Sequence, residues 1–311
     1  MTGLVRTTAM AAGAVGGLSV SMCGLLVEQS KRARRVIGQP HGSPLRGDGV
    51  YLADGTGPYV PGAVRPTGKM IRFAMLGDSS AAGLGVDDPN HLPGVLIARA
   101  LAQDSRRPVW LVTYAVSGST SRTMAPQVGL ATADAPDIAL IMIGANDVTA
   151  RIQPRESGEL IADAVARLRA VGTTVVVGTC PDLGVVRPIP QPLRSLARAW
   201  SLSVAKHQRA AVRRAGGRAV PLADLLAAEF LSRDELFSID RFHPSAAGYQ
   251  AAASVLLPAV CAAVGAWEAG PLPEPPARSF SVEERRAKIR LVRAAGRSLD
   301  WLHHFPELAA G

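Results

Sequence analysis

The chain has 311 residues, 48% apolar and 5% aromatic, with a formal charge of +9 from 34 Lys and Arg against 25 Asp and Glu. That length holds one large α/β domain with appendages at both ends, its core built from Ala, Val, Leu and Ile. Cys23, Cys180 and Cys261 are widely separated, with no CxxC pair and no His/Cys cluster of zinc-ligand spacing, so neither a structural metal nor a disulfide framework is indicated. The positive balance favours anionic partners in general, but the arginines are scattered over helix-compatible segments and read as solvated faces, so no nucleic-acid partner is expected.

Residues 1–35 come first as a unit, an apolar membrane anchor or signal with a basic flank. Residues 7–27 carry no charge and are long enough to span a bilayer, although Ala, Gly and Ser dilute their hydrophobicity. Arg6 precedes the run, and Lys31, Arg32, Arg34 and Arg35 follow it. The heavier charge lies on the far side and no clean A-x-A site is present, unlike an ordinary signal peptide. Membrane or cell-envelope association is the expectation, with the side of the membrane left open; the positive-inside rule favours the cytoplasm. Residues 36–69 are rich in Gly and Pro and read as a linker or irregular lead-in.

The main domain is expected over 70–267. Apolar runs at 71–77, 109–115, 138–144, 173–179 and 218–223 read as doubly buried strands. Helix-compatible segments lie near 92–104, 156–171, 193–215 and 245–264. This alternation predicts a three-layer α/β/α fold around a five-stranded, mostly parallel sheet in a flavodoxin-like arrangement. Residues 268–311 follow as a Pro-rich break and a terminal amphipathic helix. Ser281 and Glu284 have capping-box spacing there, and Ile289, Val292, Ala295, Leu299 and Leu302 recur at helical intervals. That helix is expected to pack on the domain, with a membrane-surface role as the alternative.

In a parallel sheet, functional residues gather at the carboxyl ends of the strands. Here those ends are polar: Gly77-Asp78-Ser79-Ser80, Ser117-Gly118-Ser119-Thr120, Gly144-Ala145-Asn146-Asp147 and, after the last strand, Asp240-Arg241-Phe242-His243. Taken alone, each is a turn or a helix cap. As an ordered set over roughly 71–265 they resemble the SGNH/GDSL hydrolases, whose pattern is a GDS block, a later Gly, a G-x-N-D block and a D-x-x-H block. Within that family the narrower likeness is to actinobacterial GDSL-like esterases, membrane-associated or exported.

The resemblance implies Ser79 as nucleophile rather than its neighbour Ser80. It also implies an oxyanion hole made by the backbone N–H groups of Ser79 and Gly118 and the side-chain amide of Asn146. The chemistry agrees. A serine hydroxyl needs a base, an imidazole serves near neutral pH, and Asp240 lies three residues before His243, where one turn brings its carboxylate to the ring. Gly118 leaves the approach to its N–H clear of a Cβ. Asp78 and Asp147 read as structural. The rival α/β-hydrolase reading lacks its G-x-S-x-G elbow, and no P-loop closes on Gly-Lys-Ser/Thr. His303 and His304, adjacent on a helix, point apart and suggest no metal site.

The expected activity is therefore ester hydrolysis through an acyl-enzyme, on small-molecule or lipid esters with short to medium acyl chains, and with no cofactor. The alternatives are an O-acyltransferase, lysophospholipase or thioesterase using the same triad, or a non-catalytic membrane-tethered binding module.

Overall fold

The computed structural model describes residues 24–37, 44–63, 68–267 and 272. Most of the apolar run, Cys23 and the expected C-terminal helix lie outside the described residues. Helix α1 covers 24–37. It is followed by β1 (Gly49–Tyr51), β2 (Ile71–Gly77), α2 (Ser79–Ala82), α3 (Pro93–Ser105), β3 (Val109–Thr113), α4 (Ala125–Asp134) and β4 (Ile138–Met142). Then come α5 (Ala145–Thr149), α6 (Pro154–Ala170), β5 (Thr174–Gly178), α7 (Leu193–Arg214), β6 (Arg218–Val220), α8 (Leu222–Ser232) and α9 (Ala246–Ala263).

The strands form one sheet in the order β1-β3-β2-β4-β5-β6. β2 to β6 run parallel to their neighbours, and β1 pairs antiparallel with β3. Period-two alternation explains the three layers. On one face Ile71, Phe73, Met75 and Leu140 pack against Ile97 and Leu101 of α3 and Leu256 and Val260 of α9. On the other, Ala74, Leu76, Ile141 and Val177 meet Val128 of α4 and Ile161, Val165 and Leu168 of α6. Each large aliphatic side chain fully buried this way contributes about 1.5–3 kcal/mol. Helix α9 is long and apolar enough to cross a membrane, but Tyr249, Leu256, Val260 and Cys261 bury one side of it in this core. Cys180 and Cys261 are buried free thiols.

Three features depart from the expected layout. The sheet has six strands rather than five, because β1 comes from the segment read as a lead-in. Its three residues, GVY, are too short to show a strand period, yet Tyr51 is fully buried and its hydroxyl donates to the Gly47 carbonyl at 2.5 Å. Second, α1 crosses the expected boundary at residue 35 and docks on the domain. Ala33 packs with Ala145, Leu183, Val186 and Ile189, Gln29 Nε2 donates to the Gln191 carbonyl at 2.6 Å, and the basic cluster lies on the outer face. Its less exposed face mixes Leu26 and Ile37 with Gln29, Ser30 and Ala33, so no continuous apolar stripe announced it. Third, α4 and α8 join the expected helices. Pro126 and Gly129 mask the helical period of α4, and α8 starts two residues after β6, inside the run read as a strand.

Candidate active site

The chain leaves β2 for β3 on one side and later returns to β4 on the other, with α3 and α4 on opposite faces. The carboxyl end of β2 is therefore the switch point of the sheet, where a crevice opens. Gly77 ends the strand at φ +138°, and a Cβ there would lie 1.9 Å from the Met142 carbonyl oxygen, so only glycine fits. Asp78 then N-caps α2 by accepting from the Ser80 N–H at 2.9 Å. This starts α2 at Ser79. Burial pushes the Asp78 carboxyl up to about 6; the Ser80 N–H and His243 oppose the rise, and the charge of Asp147 adds to it.

His243 arrives from the loop between α8 and α9. Its Nε2 lies 2.9 Å from Ser79 Oγ, and its Nδ1 lies 2.6 Å from Asp240 Oδ2. Donation from Nδ1–H to the carboxylate leaves Nε2 as the acceptor facing the serine hydroxyl. Asp240 is itself pinned: its Oδ1 accepts from Ser238 Oγ at 2.7 Å and from the backbone N–H groups of Phe242 and His243 at 2.8 and 2.9 Å. Burial alone would raise its pKa, but these bonds and the one from His243 outweigh it and hold the carboxyl well below its usual range. The Phe242 ring stands edge-on to the imidazole, centroids 5.0 Å apart.

Gly118 lies in the turn after β3, at φ +81°, with no atom within 4 Å of where a Cβ would sit. The Ser119 N–H closes that turn on the Val116 carbonyl at 3.1 Å. Asn146, on α5, donates from Nδ2 to the Ser119 carbonyl at 3.0 Å. One amide hydrogen thus orients the group, and geometry leaves the second for another acceptor. Asp147, fully buried, accepts from the Ser121 N–H at 2.8 Å and from Ser157 Oγ at 2.5 Å, tying the Gly118 loop to α6.

The structure therefore brings Ser79, His243 and Asp240 together, and Asn146 together with the loop of Gly118. Ser79, rather than Ser80, is the serine hydrogen-bonded to His243; Asp240 sits behind that histidine, and Asn146 is bonded to the loop that carries Gly118. Sequence reasoning missed Ser238, Ser157 and Gln127, which support these groups. Only the alternation of Ser238 with Asp240 hinted at the first, and a polar residue at a buried helix position could have flagged the others.

A family model described as GDSL-like Lipase/Acylhydrolase matches residues 75–251. The "GDSL-like esterase Rv1075c" of Mycobacterium tuberculosis is 44% identical over 256 residues, covering 81% of each chain. Among solved structures, the lipase/acylhydrolase from Enterococcus faecalis aligns with TM-score 0.50 at 18% identity over 60% of this chain and 94% of its own, a likeness of fold. TesA aligns with TM-score 0.49 at 22% identity, covering 62% of this chain and 98% of its own. The family match spans more than half the chain and the relative covers four fifths of it: the protein belongs to the GDSL-like lipase/acylhydrolase family of carboxylic ester hydrolases.

Proposed function

We propose that the protein hydrolyses esters of short to medium acyl chains through an acyl-enzyme on Ser79, with His243 as general base and Asp240 as its orienting partner. The observation that carries this reading is the continuous relay from Ser79 Oγ through the imidazole to Asp240. As Oγ attacks the ester carbonyl carbon, its proton passes to His243 Nε2, and the Asp240 carboxylate stabilises the imidazolium without taking the proton. The oxyanion of the tetrahedral intermediate is held by the Ser79 and Gly118 N–H groups and the remaining Asn146 amide hydrogen. As the first residue of α2, Ser79 has an N–H with no acceptor inside the helix. Collapse expels the alkoxide, which takes the proton from His243 and leaves as the alcohol. Water then repeats the sequence on the acyl-enzyme, releasing the acid and restoring Ser79.

The short-to-medium preference is supported by what lies between the four blocks: among the described residues these segments are the strands, helices and connecting turns of the fold itself, without a large insertion to form a lid. A membrane location is supported by the uncharged run over 7–27, whose last four residues open α1, the helix that docks on the domain where Ala33 packs with Ala145, the neighbour of Asn146.

The test is a chain-length series of p-nitrophenyl esters on wild type and Ser79→Ala, with an alcohol acceptor present in one arm. Falling kcat/KM beyond medium chains, free acid as the main product and loss of at least about 10³-fold in the variant are expected. Equal activity in Ser79→Ala rejects the nucleophile, and a dominant transesterified product makes the enzyme an acyltransferase.

A further inference from the structure

We infer that Gln127, on α4, is a positioning residue that sets the spacing of the oxyanion-hole donors; this rests on the catalytic roles proposed above. Gln127 is 3% exposed and lies beneath the site. Its Oε1 accepts from the Gly77 N–H at 2.9 Å. Its Nε2 donates to the Gly77 carbonyl at 3.0 Å and to Ser119 Oγ at 2.9 Å. Both amide hydrogens and the oxygen are thereby engaged.

The sheet explains why such a residue is needed. β3 pairs with β2 only as far as Met75 and Thr113, and then turns away into the loop that carries Gly118. Gly77 keeps one bond to that side, from the Val116 N–H at 3.1 Å, while the carboxamide of Gln127 supplies the acceptor that a continuing strand would offer and adds a second donor to the Gly77 carbonyl. Gly77 lies two residues before Ser79, and Ser119 directly follows Gly118. One buried amide therefore bridges the two backbone segments whose N–H groups must converge on a single oxyanion. Asn146 grips the same residue, Ser119, through its carbonyl, so all three donors share one anchor.

A polar side chain that merely satisfied buried backbone groups would affect stability only. A positioning residue affects transition-state binding more than substrate binding, because oxyanion donors act at about 3 Å and a displacement near 1 Å costs on the order of 10²-fold. The amide is also specific in kind. A carboxylate at 127 could accept from Gly77 N but donate to neither partner, and it would share a buried region with Asp78 and Asp147.

The experiment uses the full chain and p-nitrophenyl butyrate with four variants: Ser79→Ala, Ser119→Ala, Gln127→Met and the Ser119→Ala/Gln127→Met double. Melting temperature and the pH dependence of kcat/KM are measured alongside. Expected for Gln127→Met is a fall in kcat of roughly 30–100-fold, with KM within about twofold and the pH midpoint unmoved. Ser119→Ala, which deletes one hydroxyl, is expected to lose about fivefold in kcat, and the double variant no more than Gln127→Met alone, since both break the same link. Unchanged kcat in Ser119→Ala, or multiplicative losses in the double variant, overturns the inference. If Gln127→Met does not fold, Ser119→Ala decides alone by the same criterion. Activity surviving in Ser79→Ala would instead strike the triad reading beneath it.

Discussion

Tyr249 Oη donates to the Leu84 carbonyl at 2.6 Å, across 165 positions of sequence. This bond joins the first turns of α9, just after His243, to the turn that leaves Ser79 on α2. The tyrosine is fully buried. Tyr249→Phe keeps the ring and strands the Leu84 carbonyl without its donor, which costs about 1–3 kcal/mol. Chemical denaturation is expected to show that loss, and kcat/KM to fall several-fold as the distance between serine and histidine is less tightly held. An unchanged kcat/KM would mean that the loop holds His243 without help from α9.

Asn146→Ala removes the amide proposed above as an oxyanion donor and also releases the Ser119 carbonyl. Loss of one such donor costs about 3 kcal/mol in the transition state, so kcat is expected to fall on the order of 10²-fold with KM little altered. Asn146→Asp is the sharper comparison. It preserves shape but turns a donor into an acceptor facing a developing negative charge, and is expected to fall below Asn146→Ala. The reverse order, measured by steady-state kinetics, would remove the side-chain amide from the oxyanion hole.

The first three polar blocks were legible because each follows a strand of strong apolar pattern, and the topology sends those ends to one edge. Asp240 and His243 needed only their own spacing, since a three-residue interval within one loop closes the contact. What stayed illegible depends on partners distant in sequence. β1 is a strand only because β3 offers it an edge, and α1 is placed only because Ala33 finds Ala145 and Leu183. Gln127 looks like an ordinary helical glutamine until the end of β2 is laid across it. Local propensity carries no record of such meetings.

Asp78 gives a pH dependence with a definite sign. Its folded pKa of about 6 lies above the ordinary 3.8, because burial disfavours the charged form. Its contribution to stability is therefore fully present below pH 3.8 and is lost as pH rises through about 6; at neutral pH the buried charge costs about 3 kcal/mol. Asp78→Asn keeps a capping oxygen for the Ser80 N–H and has no proton to lose. In urea unfolding, the variant is expected to gain on wild type between pH 4 and pH 7 and to hold its advantage above. A difference that stays flat over that range would show that the carboxyl titrates normally.

The glycines at 77 and 118 separate folding from catalysis. Both have positive φ, which costs a side chain roughly 1–2 kcal/mol wherever it occurs. At Gly77 a methyl group would also collide with the Met142 carbonyl oxygen and lie 2.9 Å from Ala81 Cβ, both packed by their own elements. Gly77→Ala is therefore expected to lose several kcal/mol, or to fail to accumulate as folded protein. At Gly118 the methyl would enter open space on the exposed side of the turn, so Gly118→Ala pays only the backbone term and folds. That open space is where the proposed mechanism puts the ester carbonyl. A nearly normal melting temperature with kcat/KM reduced at least tenfold is the expected result for Gly118→Ala. If kcat/KM fell no further than the small stability change explains, the N–H of Gly118 would not face the reacting carbonyl.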